Sequence, residues 1–446
     1  MCRLLSHICL TICWLALFSS TSYAQEKLDL NDVSWLWPVP KTDGDLSRII
    51  ALDDLKSADG QDVWGDSQFQ DLLKAIDTGL TEVNGDEVEF QDEIRKKLVW
   101  RIAGMRVDPS APGANDEVRK VFGAKTQIRL IVQPVTQDGS GVVEVHDVAV
   151  HLVYSWTKGK DQAGRHKSDD DKFKEILSDL DALKKTCETN GASTTGKPLG
   201  VHPGLLANVT GLDSQIKGFL QKHLSSKQLD SMALMGIQTP EPWIFLALSR
   251  LPDGRFGKIP IPIPAAEPQM IDFRGGATVR PTPIVNNRSP VTGPIVPTEE
   301  RRGVATDVLF KRGLDLDAFA KIGTDAAGND VLDTEVRNRD ISDVVANPLS
   351  SHFFNTDCVS CHSETRRRMR LRLSQGDFAF KPDGKAPEIA ADAQPKDDWN
   401  VRNFGWFPPH FFIGGGPTVA TATQRTANET AEVLEFIEKN FRAAAQ

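Results

Sequence analysis

The sequence predicts an α+β N-terminal domain over residues 25–258 and a second domain over residues 301–446. Two observations predict this division. Apolar residues before residue 258 recur with both strand and helix periods, which is typical of an α+β domain. Nine prolines then fall between Pro260 and Pro297, and this density favours extended backbone. Residues 259–300 are therefore a predicted Pro-rich linker or strap.

Helices and strands alternate along the predicted N-terminal domain. Apolar residues from Phe69 to Ile76, and again from Phe173 to Leu183, recur at helical spacing. Two short apolar stretches flank the polar turn at residues 136–141, so residues 127–156 are typical of a β-hairpin. Further strands are predicted at residues 98–107, 228–237 and 243–251.

The chain is acidic, with 61 Asp and Glu residues against 52 Lys and Arg residues and a net charge of −9. Binding to nucleic acid requires a basic face, so this balance argues against nucleic acid as a partner. Hydrophobic residues make up 40% of the chain, which excludes wholesale disorder.

The first 24 residues predict a secretory signal peptide. One early positive charge precedes the apolar stretch Ile8–Phe18, and Ser22 and Ala24 occupy the −3 and −1 positions of a cleavage site. The stretch is shorter than the ~20 residues that span a bilayer, so a retained anchor is the weaker interpretation. A lipoprotein signal at Cys13 and a buried N-terminal helix of a cytosolic protein are also weaker interpretations. We expect a periplasmic or otherwise extracytoplasmic chain whose mature part has no transmembrane segment.

Cys358, Cys361 and His362 belong to the pentapeptide Cys-Val-Ser-Cys-His, whose C-x-x-C-H spacing is the attachment signature of c-type haem. Two thiols on one turn of helix can bond to the porphyrin edge, and the adjacent histidine can then ligate the iron. Three alternatives are weaker: a zinc site, which needs about four ligands, a thioredoxin-type redox pair, and an ordinary disulfide. The disulfide is the most serious of the three. The motif therefore predicts one covalent haem c.

The C-terminal third of the chain resembles the c-type cytochromes in this pentapeptide and its surroundings. The stretch ANPLSSHFFNTDCVSCH is also similar to exported bacterial proteins with a C-terminal cytochrome domain. The resemblance implies a mostly α-helical cytochrome c-like domain, in which Cys358 and Cys361 hold the haem and His362 is the proximal ligand. It further implies one helix within residues 340–354 and a second within residues 427–441 that packs across it.

The sixth iron ligand is where the sequence departs from that family. Cytochromes c usually place a methionine in the loop before the last helix, and this chain has none there. His410 lies in that stretch among prolines and aromatic residues, and it is the predicted sixth ligand. The alternatives are His352, Met369 or an open position. Histidine would lower the reduction potential relative to methionine, whereas an open site would permit ligand binding or peroxide chemistry.

Two further groups of residues carry weaker signals. Five arginines between Arg366 and Arg372 could face the haem propionates or steer an acidic redox partner, but a solvated strand face is the simpler interpretation. His146 and His151 are five positions apart, so on a strand they point to opposite faces and form no metal pair. Each is interpreted as a structural or surface histidine.

These observations favour an exported electron-transfer protein with one covalent haem, whose N-terminal domain binds a redox partner protein. The first alternative is a haem enzyme, either peroxidase-like or an oxidoreductase subunit with the haem as electron relay. The second is a haem-based sensor or binding protein. The residues before the linker contain no nucleotide-binding glycine loop and no nucleophile elbow, so no catalytic residue is predicted there.

Overall fold

The computed structural model of this chain covers the sequence in separate stretches. The residues it describes are 27–84, 91–111, 116, 119–120, 123–237, 243–258, 269–272, 282–283, 321–324, 326–327, 330–332, 343, 345–349, 361–362, 364–365, 368, 381, 384–396, 400, 402–408 and 416–442.

One large antiparallel sheet of eleven strands dominates these residues. Its strands are β1 (Ser34–Leu36), β2 (Trp100–Ala111), β3 (Lys125–Gln137), β4 (Val143–Val145), β5 (Val148–Lys160), β6 (His166–Ser168), β7 (Leu229–Ile237), β8 (Trp243–Arg250), β9 (Phe256–Lys258), β10 (Gln269–Asp272) and β11 (Thr282–Pro283). Eight of them follow the order β1-β2-β3-β5-β7-β8-β10-β11. The short strands β4, β6 and β9 pair with β3, β5 and β8 respectively.

Amphipathic helices pack against this sheet. The described helices are α1 (Leu30–Val33), α2 (Asp43–Leu46), α3 (Asp66–Asn84), α4 (Asp170–Thr189), α5 (Pro203–Leu206), α6 (Leu212–His223) and α7 (Gln424–Ile437). A 3₁₀ turn at Lys97–Val99 and a π-helical stretch at Glu438–Arg442 also have described bounds. Each of these described helices is too short or too polar to span a lipid bilayer.

The longest of these helices, α4, illustrates why these segments fold as they do. The Asp169 carboxylate caps its N-terminus by accepting a hydrogen bond from the Lys172 amide at 3.1 Å. One stripe of the helix is apolar and buried. The predicted stripe from Phe173 to Leu183 is confirmed, and the buried thiol of Cys187 continues it; its other buried apolar members are Phe173, Ile176, Leu177, Leu180 and Leu183.

The C-terminal part of the chain packs on the same core. It contributes two small two-stranded sheets, of β12 (Lys321–Thr324) with β13 (Asp330–Leu332) and of β14 (Phe404–Phe407) with β15 (Val419–Ala422). The Trp406 indole nitrogen donates to the Trp37 carbonyl at 2.9 Å, and Thr430 of α7 bonds the Ser34 hydroxyl at 2.8 Å. Residues from both ends of the chain therefore share one hydrophobic cluster.

The predicted fold class, an α+β N-terminal domain followed by a mostly α-helical cytochrome c-like domain, is wrong. The described residues form chiefly one antiparallel sheet with helices on it, and those after residue 301 add four strands as well as α7. The helices of the C-terminal domain were inferred from a resemblance that one pentapeptide carries. The apolar segment Phe404–Phe407 instead pairs as a strand with Val419–Ala422.

Several individual strands and one helix were predicted correctly although the fold class was wrong. The hairpin at 127–156, the strands near 98–107, 228–237 and 243–251, and the C-terminal helix are confirmed by β3 with β5, β2, β7, β8 and α7. The domain boundaries stay a prediction. Residues 1–24 and most of residues 340–354 lie outside the described residues.

Candidate functional site

Cys361 and His362 lie on helical backbone beside β14. Both are partly buried, and Cys361 is a free cysteine. The Asn403 side-chain amide donates to the Cys361 sulfur at 3.3 Å. Burial raises the pKa of the Cys361 thiol to about 11, so the thiol is protonated at neutral pH. A free thiol at this position gives the disulfide alternative no support.

The turn after His362 is fixed by buried charges. Arg368 forms an ion pair with Glu364 one turn earlier and donates to Asp343 at 2.9 Å. Glu364 and Arg368 are buried, and burial raises the pKa of Glu364. Removing Arg368 would leave the buried Glu364 carboxyl without this partner, so the pair stabilises the helical backbone that follows His362. Arg368 is thus no member of a solvated strand face; the other four arginines of that run lie outside the described residues.

The central strands present a row of polar side chains on one face. Side chains alternate along a strand, and the register pairs Arg106 of β2 with Arg129 of β3, and Ile131 of β3 with His151 of β5. The residues of this face, called here the polar face, are Arg106 and Asp108 of β2, Gln127, Arg129 and Gln133 of β3, and His151 of β5.

Side chains of helix α7 form an ionic network with the β2 side of the polar face. Glu429 forms an ion pair with Arg106 and accepts from the Arg425 guanidinium at 2.7 and 2.6 Å. Burial opposes ionisation of Glu429, but the charges of Arg106 and Arg425 hold its pKa well below the usual range. Arg425 and Glu429 also act electrostatically on the Cys361 thiol. The network therefore extends from the sheet to the second cysteine of the motif.

Arg129 and His151 lie on the polar face next to this network, and the part of the face that they occupy is called here the recess. Both side chains keep accessible surface, yet burial is the largest influence on the pKa of each. Burial, followed by the charge of Arg106, lowers the pKa of Arg129 to about 10, so it stays cationic at neutral pH. Its Nε is buried and has no hydrogen-bond partner among the described residues. The recess thus offers a cation with an unused donor.

His151 is held neutral in that recess. Burial, then the charges of Arg129 and His362, lower its pKa well below the ordinary value. A neutral imidazole has one nitrogen that can accept a hydrogen bond or a proton.

Strand β14 covers the other end of the polar face. The Gln133 side chain accepts from the Trp406 amide at 2.7 Å and donates to the Trp406 carbonyl at 2.9 Å. Gly405, the residue before Trp406, has a φ of +132°, and a Cβ there would lie 2.7 Å from Gln133 Oε1. Only glycine fits this approach. A buried ion pair between Arg402 and Asp147 fastens the same segment beside β5.

The predicted site residues divide into two sets. Cys361 and His362 are among the described residues, and Cys361 lies next to the ionic network of α7. Cys358, the predicted sixth ligand His410 and its alternatives His352 and Met369 lie outside the described residues. Among the described residues, no group of three or more His, Cys, Asp or Glu side chains is arranged to hold a metal ion.

Sequence reasoning missed Arg106, Arg129 and His151 as site residues. Arg129 alternates with apolar neighbours in β3, which is also what a strand with one solvated face shows. The separation of His146 from His151 holds, since His146 precedes β5 and bonds the Thr136 hydroxyl at 2.7 Å. His151 alone joins the site. The sequence did contain one signal for these site residues: two arginines and a histidine occupy alternate positions of otherwise apolar strands.

A separate cleft of about 220 Å³ lies between α2 and α6. Its charges balance, with Arg48 and Lys217 against Asp54 and Asp213. Burial raises the pKa of Asp213. The cleft contains neither histidine nor cysteine and none of the residues that the sequence singled out. The polar face with its ionic network is therefore the stronger candidate.

Comparison of the chain with protein-family models, with curated proteins and with solved structures finds no match.

Proposed function

We propose that this chain is an exported c-type cytochrome-domain protein that carries one covalent haem c and exchanges electrons with a redox partner protein. The observation that carries the proposal is the Cys358-x-x-Cys361-His362 spacing. Cys358 and Cys361 would hold the haem by thioether bonds, and His362 would ligate its iron. When bound, a haem of this type supplies one-electron transfer.

The residues around the motif suit such a group. Haem carries two carboxylates, which favour nearby guanidinium groups. Arg129 has a buried Nε without a partner among the described residues, and Arg106 and Arg425 lie in the adjoining ionic network. The free Cys361 thiol is available for covalent attachment. The donor set therefore fits a haem better than a structural zinc ion, which needs about four ligands.

The surrounding protein would set the reduction potential of the haem through fixed charges and through limited solvent access. The α7 network and the Arg402–Asp147 pair fix cations around the recess. Fixed charges and limited solvent access are levers that set a haem's reduction potential. The leader at residues 1–24 would bring the chain to the compartment where haem attachment occurs. Electron exchange with a partner protein follows as the simplest use of such a site.

A haem enzyme is the second candidate, favoured by one observation. His151 is neutral and Arg129 cationic on adjacent strands of the same recess. A neutral imidazole can accept a proton, and a fixed cation can stabilise negative charge in a bound substrate such as peroxide. This function needs an open position on the iron. Six-coordinate iron would favour electron transfer, and five-coordinate iron the enzyme.

The attachment of haem is tested on the full chain with its leader, produced in a bacterium that carries the c-type maturation machinery. We expect a pyridine haemochrome spectrum with one haem per chain, and haem staining that survives denaturation. Cys358→Ala and Cys361→Ala should each shift the α band to longer wavelength, because one thioether is lost. The double variant should lose covalent haem.

Cys187→Ala is the matched control. Cys187 is the other free cysteine among the described residues and lies in the α4 stripe, so its removal should leave attachment unchanged. Wild-type protein without covalent haem under these conditions would contradict the proposed function. A reversible one-electron titration of the haem protein then tests electron transfer, and rapid peroxide turnover would favour the enzyme instead.

A further inference from the structure

We propose that the cleft between α2 and α6 binds a free α-amino acid with a small aliphatic side chain. The residues that line the cleft belong neither to the polar face nor to the haem-attachment motif, so this inference does not depend on the proposed haem. An α-amino acid carries a carboxylate, an ammonium group and a side chain on one carbon atom. The lining of the cleft supplies a counterpart for each of these three groups.

The charged side chains that line the cleft are poorly satisfied by the protein itself. Arg48 makes one hydrogen bond, from Nη2 to the Leu205 carbonyl at 3.3 Å, and its buried Nε has no partner among the described residues. The other charged residues of the lining form no hydrogen bond or ion pair with another described residue; they are Asp54, Asp213 and Lys217. Two cations and two carboxylates therefore share one cleft without a direct contact between opposite charges.

The C-terminal end of the same helix, α6, behaves differently where it meets α4. The Lys222 ammonium group lies 2.7 Å from the Asp179 carboxylate and 3.4 Å from that of Glu175. Charges at this helix contact are thus paired, whereas those of the cleft are not. A ligand with both charges would complete the cleft, with its carboxylate on the two cations and its ammonium group on the two carboxylates.

A second, smaller cavity of about 30 Å³ adjoins the cleft and would receive the side chain of the ligand. The two cavities share Arg48, Ile49 and Asp213. The rest of the smaller lining is mostly apolar; its apolar members are Trp37, Pro38, Val39 and Leu205. A cavity of this volume holds about two water molecules, so it has room for a small alkyl group and not for an aromatic ring. This cavity restricts the ligand to a small aliphatic side chain.

Isothermal titration calorimetry of the full chain with L-alanine tests the proposal. We expect L-alanine to bind with a Kd of about 1 mM or lower. Propionate lacks the ammonium group and ethylamine lacks the carboxylate, so each should bind about tenfold more weakly or worse, because one pair of charges is left without a counterpart. L-Phenylalanine should lose a similar factor, since its ring exceeds the smaller cavity.

Two variants locate the binding site. Asp213→Asn and Lys217→Met should each weaken L-alanine binding about tenfold, because each removes one charge that faces the ligand. Asp171→Asn is the matched control: Asp171 and Asp213 are each the second residue of a helix, but Asp171 does not line the cleft. Melting curves without ligand separate a folding defect from a binding defect. If Asp213→Asn does not accumulate, Lys217→Met carries the test.

Several results would overturn the inference. Wild-type protein that takes up no L-alanine at millimolar concentration has no such site. An equal Kd for L-alanine and propionate would show that the ammonium group is not recognised, and an equal Kd for L-alanine and L-phenylalanine would refute the small side chain. Wild-type affinity in both Asp213→Asn and Lys217→Met would place the bound L-alanine elsewhere. The calorimetry uses no haem signal, so these results are independent of the haem tests.

Discussion

The two faces of the central strands differ in a way that separates folding from function. Both faces are covered by other parts of the chain. One is apolar, with residues that have no exposed surface; its members in β3 and β5 are Ile128, Leu130, Val132, Val150, Leu152 and Tyr154. The polar face places Arg106, Arg129 and His151 at alternate positions of the same strands.

The comparison shows which face stabilises the fold. Burying apolar surface contributes about 25 cal/mol per Å². Burying charges costs free energy unless they are paired, and well-packed apolar residues would often be as stable. The polar face therefore has no explanation in stability alone. Its Arg106 belongs to the ionic network next to Cys361, which is the arrangement that the proposed haem site would use.

The largest expected effect comes from breaking the ion pair that fastens the C-terminal segment to the polar side of the sheet. The side chains of Arg402 and Asp147 are each only 2% exposed. Arg402→Met leaves the Asp147 carboxylate buried without this partner, so we expect the free energy of unfolding to fall by about 3–5 kcal/mol. Denaturant titration of the full chain measures this loss.

The double variant Arg402→Met with Asp147→Leu is the control for that prediction. It removes both charges, so most of the lost stability should return. A single variant within about 1 kcal/mol of wild type would show that the pair does not hold the segment.

The apolar face is tested by Leu130→Ala, with a loss of about 2–5 kcal/mol because a cavity replaces a buried side chain. Leu206, which is 64% exposed, provides the matched leucine, and Leu206→Ala should change stability by less than about 0.5 kcal/mol. If the proposed haem is bound, its spectrum in Leu130→Ala should match that of wild type. A change of iron ligand in Leu130→Ala would contradict the separation of the two faces.

Much of the sheet could be predicted from its periodicity. The alternation of Ile128, Leu130 and Val132 with polar residues located β3, and the stripe of α4 was equally clear. Strand β14 gave no such signal, because four residues are too few to show alternation and Gly405 has a positive φ. Long periodic segments are predictable, and short segments that depend on distant partners are not.

The candidate site was half predictable. Cys361 and His362 follow from spacing alone, because covalent haem attachment is a local pattern. Arg129 and His151 join the polar face only through strand register. Alternation marks two faces of a strand but does not tell which of them meets water. Which face meets water depends on a segment of the same chain that is hundreds of residues away in sequence.

The cover of the polar face is tested by Gly405→Ala. The φ of +132° disfavours any side chain, and a Cβ would displace Gln133, which makes two hydrogen bonds to Trp406. We expect a loss of about 2–4 kcal/mol from backbone strain and unpaired polar groups together. Gly139→Ala is the control, since nothing lies within 4 Å of its added Cβ. Equal melting curves for the two variants would contradict the proposed fit.

The smallest expected effect concerns Glu432, a buried carboxyl of α7 near the polar face. Burial, then the charges of Asp108 and Glu429, raise the pKa of Glu432 to about 7, against the opposing charge of Arg425. A glutamate in an unfolded chain titrates near pH ~4.3. Between these values the folded protein holds more protons than the unfolded chain. Stability from this group is therefore complete below about pH 4.3 and is lost as the pH rises to about 7.

Glu432→Gln should remove that loss, because the amide stays neutral at every pH. We expect the variant to match wild type near pH 4.5 and to exceed its free energy of unfolding by about 2–3 kcal/mol at pH 8. Glu435→Gln, at a side chain that is 61% exposed on the same helix, should leave the pH profile of wild type unchanged. Parallel profiles for wild type and Glu432→Gln would mean that Glu432 is charged throughout. The surroundings of the polar face would then hold the ionised Glu432 as a second buried anion beside Glu429. Their cationic charge would therefore exceed what the network of Arg106, Glu429 and Arg425 requires.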